Sequence, residues 1–156
     1  MSIPRPGWLA LALTIVMLEG AFPQRAGAQW RAEVLPGVRF GPPIRAGLAL
    51  GLVYGNRSPI AQFAGPIALA EGGVGGGRVS AGYMLAFPFA AGVEVLGSAV
   101  RTWGSPSQVD RKRTLAGGEI RVSFLAVNVG LSAMRPVRTA ESDRRTRYYL
   151  NVGLGI

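Results

Sequence analysis

The chain has 156 residues, 23 of them glycine, with 49% hydrophobic and 16% charged residues. Seventeen basic residues against eight acidic ones give a net charge of +9, and Lys112 is the lone lysine. Cysteine and histidine are absent, which excludes a disulfide framework, a Cys/His zinc site and histidine- or cysteine-based catalysis. The apolar fraction excludes an intrinsically disordered chain.

The first 28 residues read as an export signal. Arg5 and the amino terminus supply a positive start, Trp8 to Leu18 an apolar run of 11 residues, and Ala26-Gly27-Ala28 a small-x-small cleavage pattern. The apolar run is too short for a spanning helix, which needs about 20 residues, and Glu19 closes it. Cleavage after Ala28 is predicted, leaving residues 29–156 as one β domain. No cysteine follows to carry a lipid anchor.

From Gln29 onward the dominant period is two, the period of a strand. Eight strands are predicted, over about 30–40, 44–55, 62–71, 77–87, 89–103, 114–124, 126–135 and 146–156. In the first, Trp30, Ala32, Val34, Val38 and Phe40 oppose Arg31, Glu33 and Arg39. In the second, Leu48, Leu50, Leu52 and Tyr54 oppose Gly47, Ala49, Gly51 and Gly55. The third alternates through Phe63, Ile67 and Leu69, but then puts Glu71 on the apolar face. In the fourth, Val79, Ala81, Tyr83, Leu85 and Phe87 oppose Ser80, Gly82, Met84 and Ala86. The fifth sets Val93 and Val95 against Glu94, with Arg101 out of phase. A β-bulge in the third and another in the fifth would restore the phase. Ile120, Val122 and Phe124 oppose Glu119, Arg121 and Ser123 in the sixth, and Val127, Val129 and Leu131 oppose Asn128, Gly130 and Ser132 in the seventh. The last sets Tyr148, Leu150, Val152, Leu154 and Ile156 against Tyr149, Asn151, Gly153 and Gly155. Pro36 and Pro66 fall inside strands, where a missing N–H breaks a ladder bond, so they mark bulges or strand ends.

The connections read as hairpins, with Gly and Pro at the turns. The two long polar stretches, 104–113 and 136–145, follow the fifth and seventh strands, so both lie at one end of an up-and-down meander. Opposite the aliphatic face the residues are mainly Gly, Ala and Ser with a few charges, whereas the solvent face of a soluble sheet carries many Lys, Glu, Thr and Gln. Small residues suit the lumen of a narrow barrel; aliphatics suit lipid. Trp30, Phe40, Tyr54, Phe63, Phe87, Phe89, Trp103 and Tyr148, near strand ends, would form two interfacial girdles.

The terminal segment YYLNVGLGI, with apolar residues at alternate positions back from Ile156, resembles the C-terminal signal of bacterial outer-membrane β-barrel proteins, although that pattern ends in phenylalanine. With the export signal and the strand count, the chain is similar to the small barrels of the OmpA/OmpX type. The resemblance implies an all-β, eight-stranded antiparallel up-and-down transmembrane β-barrel. It also implies insertion from the periplasm by the outer-membrane assembly machinery of a Gram-negative cell, and residence in the outer membrane.

On this arrangement Arg31, Glu33, Arg39, Arg78, Glu94, Glu119 and Arg121 face the lumen, with Glu71 beside them. Mixed charges in so narrow a space stay ionised only if paired, so a network of ion pairs plugging the lumen is expected, rather than an ion pathway. Arg111, Lys112, Arg113, Arg138, Arg144 and Arg145 lie in the long loops at the level of lipid phosphates, where guanidinium groups could meet lipopolysaccharide headgroups; a solvated loop without a partner fits them equally. The small-barrel enzymes that transfer or remove acyl groups use a histidine with a serine, and histidine is absent, so a non-enzymatic, cofactor-free protein with outer-membrane lipid as its main partner is expected. Nucleic-acid binding is rejected because the chain is exported and no aromatic-interleaved basic face occurs.

Two other architectures fit parts of the pattern. A secreted or periplasmic soluble β-barrel would turn the aliphatic face inward around an apolar ligand. A small helical inner-membrane protein would span with residues 81–100, whose one charge is Glu94. Pro88 mid-run, the charge in hydrocarbon and the period-two polar face speak against the helix.

Overall fold

The computed structural model describes residues 30–58, 61–137 and 145–155. The segment 1–28 with its cleavage site, Arg138, Arg144 and Ile156 lie outside the described residues. The described chain forms eight strands: β1 (Arg31–Gly41), β2 (Arg45–Ser58), β3 (Ala61–Gly73), β4 (Gly76–Phe87), β5 (Ala91–Thr102), β6 (Thr114–Phe124), β7 (Val127–Pro136) and β8 (Arg147–Gly155). Each pairs antiparallel with the next, and β8 pairs back onto β1 through Gly37–Phe40, closing the barrel. Among the described residues no helix is long and apolar enough to cross a membrane. The stretch 81–100 is the end of β4, the turn at 88–90 and most of β5.

The two ends differ. Between β2 and β3, β4 and β5, and β6 and β7 the chain turns in two or three residues, and the first and last strands begin and end on that side. The connection 103–113 and the short turns 42–44 and 74–75 lie at the other end, where β7 also ends and β8 begins. The loop 103–113 folds across its neighbours there. Trp103 N donates to Gly75 O, Ser105 N to Val74 O and Ser107 N to Pro43 O, while the Thr102 hydroxyl donates to Asp110 O.

The large aliphatics of most strands stand on the outside: Leu50 is 57% exposed, Val122 54% and Leu154 50%. Had they converged on one another, the barrel would have been built around an apolar interior. Instead the inside is layered. Near the loop end Ile44, Val100, Leu115, Met134 and Tyr149 pack together, with Val109 of the long loop against them. On the β2–β3–β5 side Val53, Ile67, Leu69 and Leu96 form a second cluster, with Leu35, Phe63 and Met84 against it. Charged and polar side chains occupy the rest.

Several expectations are corrected. β3 carries its bulky residues inward: Ile67, Leu69 and Glu71 share the lumen face, while Pro66, Ala68 and Ala70 face out. No bulge separates Leu69 from Glu71, since the pairing of β3 with β2 and β4 is unbroken from Ile67 to Gly73. The register shift falls earlier, opposite Asn56 and Ser58. β5 has no bulge either; Arg101 faces outward in phase with Val93 and Val95. Phe63 belongs to the interior cluster rather than to a girdle. Both prolines sit within strands where a ladder is interrupted on one side: Pro36 beside the end of the β1–β8 ladder, Pro66 where β3 has no paired residue on β2.

Candidate functional site

Five of the expected lumen charges, joined by Glu71, meet in one cluster. Arg39 comes from β1, Glu71 from β3, Arg78 from β4, Glu94 from β5, and Glu119 and Arg121 from β6. Glu119 is the hub. Its carboxylate accepts from Arg39 Nη2 at 2.6 Å, from Arg78 Nη1 at 2.8 Å and from Arg121 Nε and Nη2 at 3.4 Å. Glu71 lies 3.3 Å from Arg39 Nη1 and 3.8 Å from Arg78 Nε. Arg121 Nη1 stands 3.0 Å from Glu94 Oε2, at ion-pair distance but outside hydrogen-bond geometry. The three guanidinium groups therefore face three carboxylates. All six side chains are at most 7% exposed.

Glycines make room for this cluster. A Cβ on Gly130 would stand 2.5 Å from Glu119 Oε1 and 3.2 Å from Arg39 Nη2. One on Gly51 would stand 2.7 Å from Leu69 Cδ2, so the small residues opposite β3 admit its inward leucine. On the β7–β8 side the lumen is polar but uncharged: Asn128, Ser132 and Asn151 are buried, with Asn128 Nδ2 donating to Gly155 O at 2.9 Å. A void of about 10 Å³, lined by Arg39, Leu69, Glu71, Arg78, Ser80 and Arg121 among others, is room for roughly one water. Neither an apolar ligand nor a hydrated ion fits a space of that size.

Arg31 and Glu33 share the lumen face of β1 but stand at the terminal end, away from the cluster, and Glu33 is exposed. At the loop end Arg111, Lys112 and Arg145 are exposed. Arg113 is half-buried and pairs with Asp110 at 3.3 Å, with its backbone N–H donating to Thr102 Oγ1. Arg147 donates to Gln108 O at 2.8 Å, tying β8 to the long loop.

The chain matches no known protein family, no curated protein and no solved structure.

Two arginines outside the expected sets stand on the outer wall beside that loop. Arg101 and Arg135 are each the penultimate residue of their strand at the loop end, and both are exposed. Arg101 Nη1 donates to Thr114 Oγ1, and Arg135 Nε to Thr146 Oγ1, each at 2.6 Å. The signal for Arg101 was present as its break in phase; Arg135, read only as a strand end, gave none.

Aromatic side chains gather towards both ends. Trp30 and Tyr54 stack at the terminal end with ring centroids 5.1 Å apart, and Phe89 and Phe124 are exposed elsewhere on the same rim. Phe40, Trp103 and Tyr148 are exposed towards the loop end, and the Trp103 ring lies over Gly77.

Proposed function

We propose that the chain is an outer-membrane β-barrel of structural or surface-interaction type, non-enzymatic, with a plugged lumen and lipid as its main partner. One observation carries this reading: aliphatic side chains cover the outside of the closed barrel, while the ionisable groups of mid-strand are inward and paired. In water that outer surface would be an apolar patch far beyond the few hundred Å² that soluble monomers expose; in a bilayer it is the face that acyl chains solvate. The export signal and the alternating C-terminal strand support delivery to the outer membrane. Exposed Arg45, Arg101, Arg111, Lys112, Arg135 and Arg145 sit at the loop end, which suits a phosphate-rich outer leaflet.

The carboxylates support the non-enzymatic reading. Glu71, Glu94 and Glu119 each lie within ion-pair distance of an arginine, the arrangement of a structural charge network rather than of a carboxylate left free to act on a substrate. A ligand-binding soluble barrel would need the reverse polarity and a cavity.

Membrane fractionation with unheated and boiled gel samples tests the reading. The protein is expected to sediment with the outer membrane and to change mobility on boiling. Recovery in the supernatant, or a mobility indifferent to heat, overturns it.

A further inference from the structure

We propose that Arg101 and Arg135 form a clamp on the outer wall for the two phosphates of a diphosphorylated glycolipid headgroup in the surrounding leaflet. This rests on the outer-membrane reading above and adds to it a lipid class and a site. The argument begins with charge. The lumen arginines Arg39, Arg78 and Arg121 are all held by carboxylates. Arg101 and Arg135, among the described residues, have no carboxylate within ion-pair distance; each is bonded instead to a neutral threonine hydroxyl. That bond steers the guanidinium and leaves its net charge uncompensated. A guanidinium has five N–H donors in a planar fork, so most remain for an anion.

Position supplies the second step. Both residues face outward at the loop end of their strands, the level at which a hydrocarbon-facing wall gives way to headgroups. A single strand, β6, separates β5 from β7. Arg101 pairs with Thr114 and Arg135 with Ala116, two residues apart on β6; with about 4.8 Å between neighbouring strands and about 3.4 Å per residue along them, the two backbones stand roughly 12 Å apart, a span that a disaccharide phosphorylated at both ends can bridge. The wall beneath is floored by small residues: Gly97 pairs across with Gly118, and Gly118 with Ala133. Ala99 and Ala116 form the rung above. A headgroup can therefore approach the sheet directly, and bulky Val95, Ile120 and Leu131 begin only below. The ligand chemistry is dianionic and spaced, because two fixed cations on a rigid sheet discriminate by the distance between charges.

The test uses the full barrel folded in detergent micelles and titrated with diphosphoryl lipid A, monophosphoryl lipid A or phosphatidylglycerol, with bound lipid counted by native mass spectrometry. Diphosphoryl lipid A is expected to bind roughly tenfold tighter than the monophosphoryl form, the equivalent of one charge-assisted contact. Arg101→Gln and Arg135→Gln should each abolish that preference, their lysine counterparts should retain part of it, and the double glutamine variant should fall to the level of phosphatidylglycerol. A loop variant, Arg111→Gln with Lys112→Gln, should weaken all three lipids alike and keep the preference for the diphosphoryl form. The heat-dependent gel shift reports that each variant is folded. Undiminished binding by the double glutamine variant, or loss of the diphosphoryl preference in the loop variant alone, overturns the clamp. A barrel that enters membranes but binds all three lipids equally overturns the clamp and leaves the outer-membrane reading standing. A barrel that does not enter membranes overturns both.

Discussion

Glu119 illustrates how much of this molecule turns on single side chains. Its carboxylate is buried beside Arg39, Arg78 and Arg121, and an uncompensated charge in such a place costs far more than an exposed one. Glu119→Gln keeps the shape and removes the charge, leaving three guanidinium groups with two carboxylates. A loss of about 3–5 kcal/mol is expected, as for breaking a buried pair, measured as a lowered urea midpoint for the folded gel form. Asp110 provides the contrast. It pairs with Arg113 but its side chain is 76% exposed, so Asp110→Asn should change stability by at most about 1 kcal/mol. Equal effects from the two substitutions would refute the ion-pair plug. Gly130 belongs to the same unit: with a Cβ 2.5 Å from Glu119 Oε1, any larger residue there must push the hub off its partners.

At the scale of the strand, the faces decide what each substitution meets. Leu150 and Leu154 lie on one face of β8, with Asn151 and Gly153 on the other. If acyl chains solvate the outer face, arginine at Leu150 should cost about 2–4 kcal/mol, while at Leu154, by the terminal end, the cost should fall to roughly 0–1 kcal/mol. Equilibrium unfolding from lipid vesicles measures both. A barrel solvated by water would tolerate either substitution alike, so a flat profile along β8 speaks against the membrane. β3 obeys the same rule with its contents exchanged. Ile67 and Leu69 point inward to pack with Val53 and Leu96, and alanines take the outer positions. The exchange keeps Glu71 in the lumen beside Arg39 and Arg78.

The whole molecule is a cylinder filled by its own side chains. Eight strands enclose little space, and here an apolar cluster, a charged cluster and a second apolar cluster occupy it. The loop 103–113 adds Val109 against the upper cluster and hydrogen bonds to the turns at Pro43 and Val74. A planar-bilayer recording is therefore expected to show negligible conductance. A reproducible ohmic channel would mean that the ion pairs part to admit water, and that plugging is not their role.

Much of this was legible in the chain before any coordinates. Alternation along β2 sets Leu48, Leu50 and Leu52 against Gly47, Ala49 and Gly51, and along β8 Leu150, Val152 and Leu154 against Asn151, Gly153 and Gly155; a period of two admits only a strand. Glycines and prolines punctuate the strands, so the strand count and the antiparallel order followed from local chemistry. The inward set Arg39, Arg78, Glu119 and Arg121 was legible for the same reason, since each shares a face with small or polar neighbours. Alternation, however, says that two faces differ without saying which is inside. In β3 both faces are apolar, and only the space left by Gly51 and the company of Leu96 settle the direction. Arg101 looked like a phase error because its inward alternative could not be tested against a partner. Above all, Glu119 meets Arg39 from 80 residues away and Arg78 from 41. Closing the sheet on itself brings those positions across the lumen, and the stagger between strands, which no local spacing encodes, determines which charges meet.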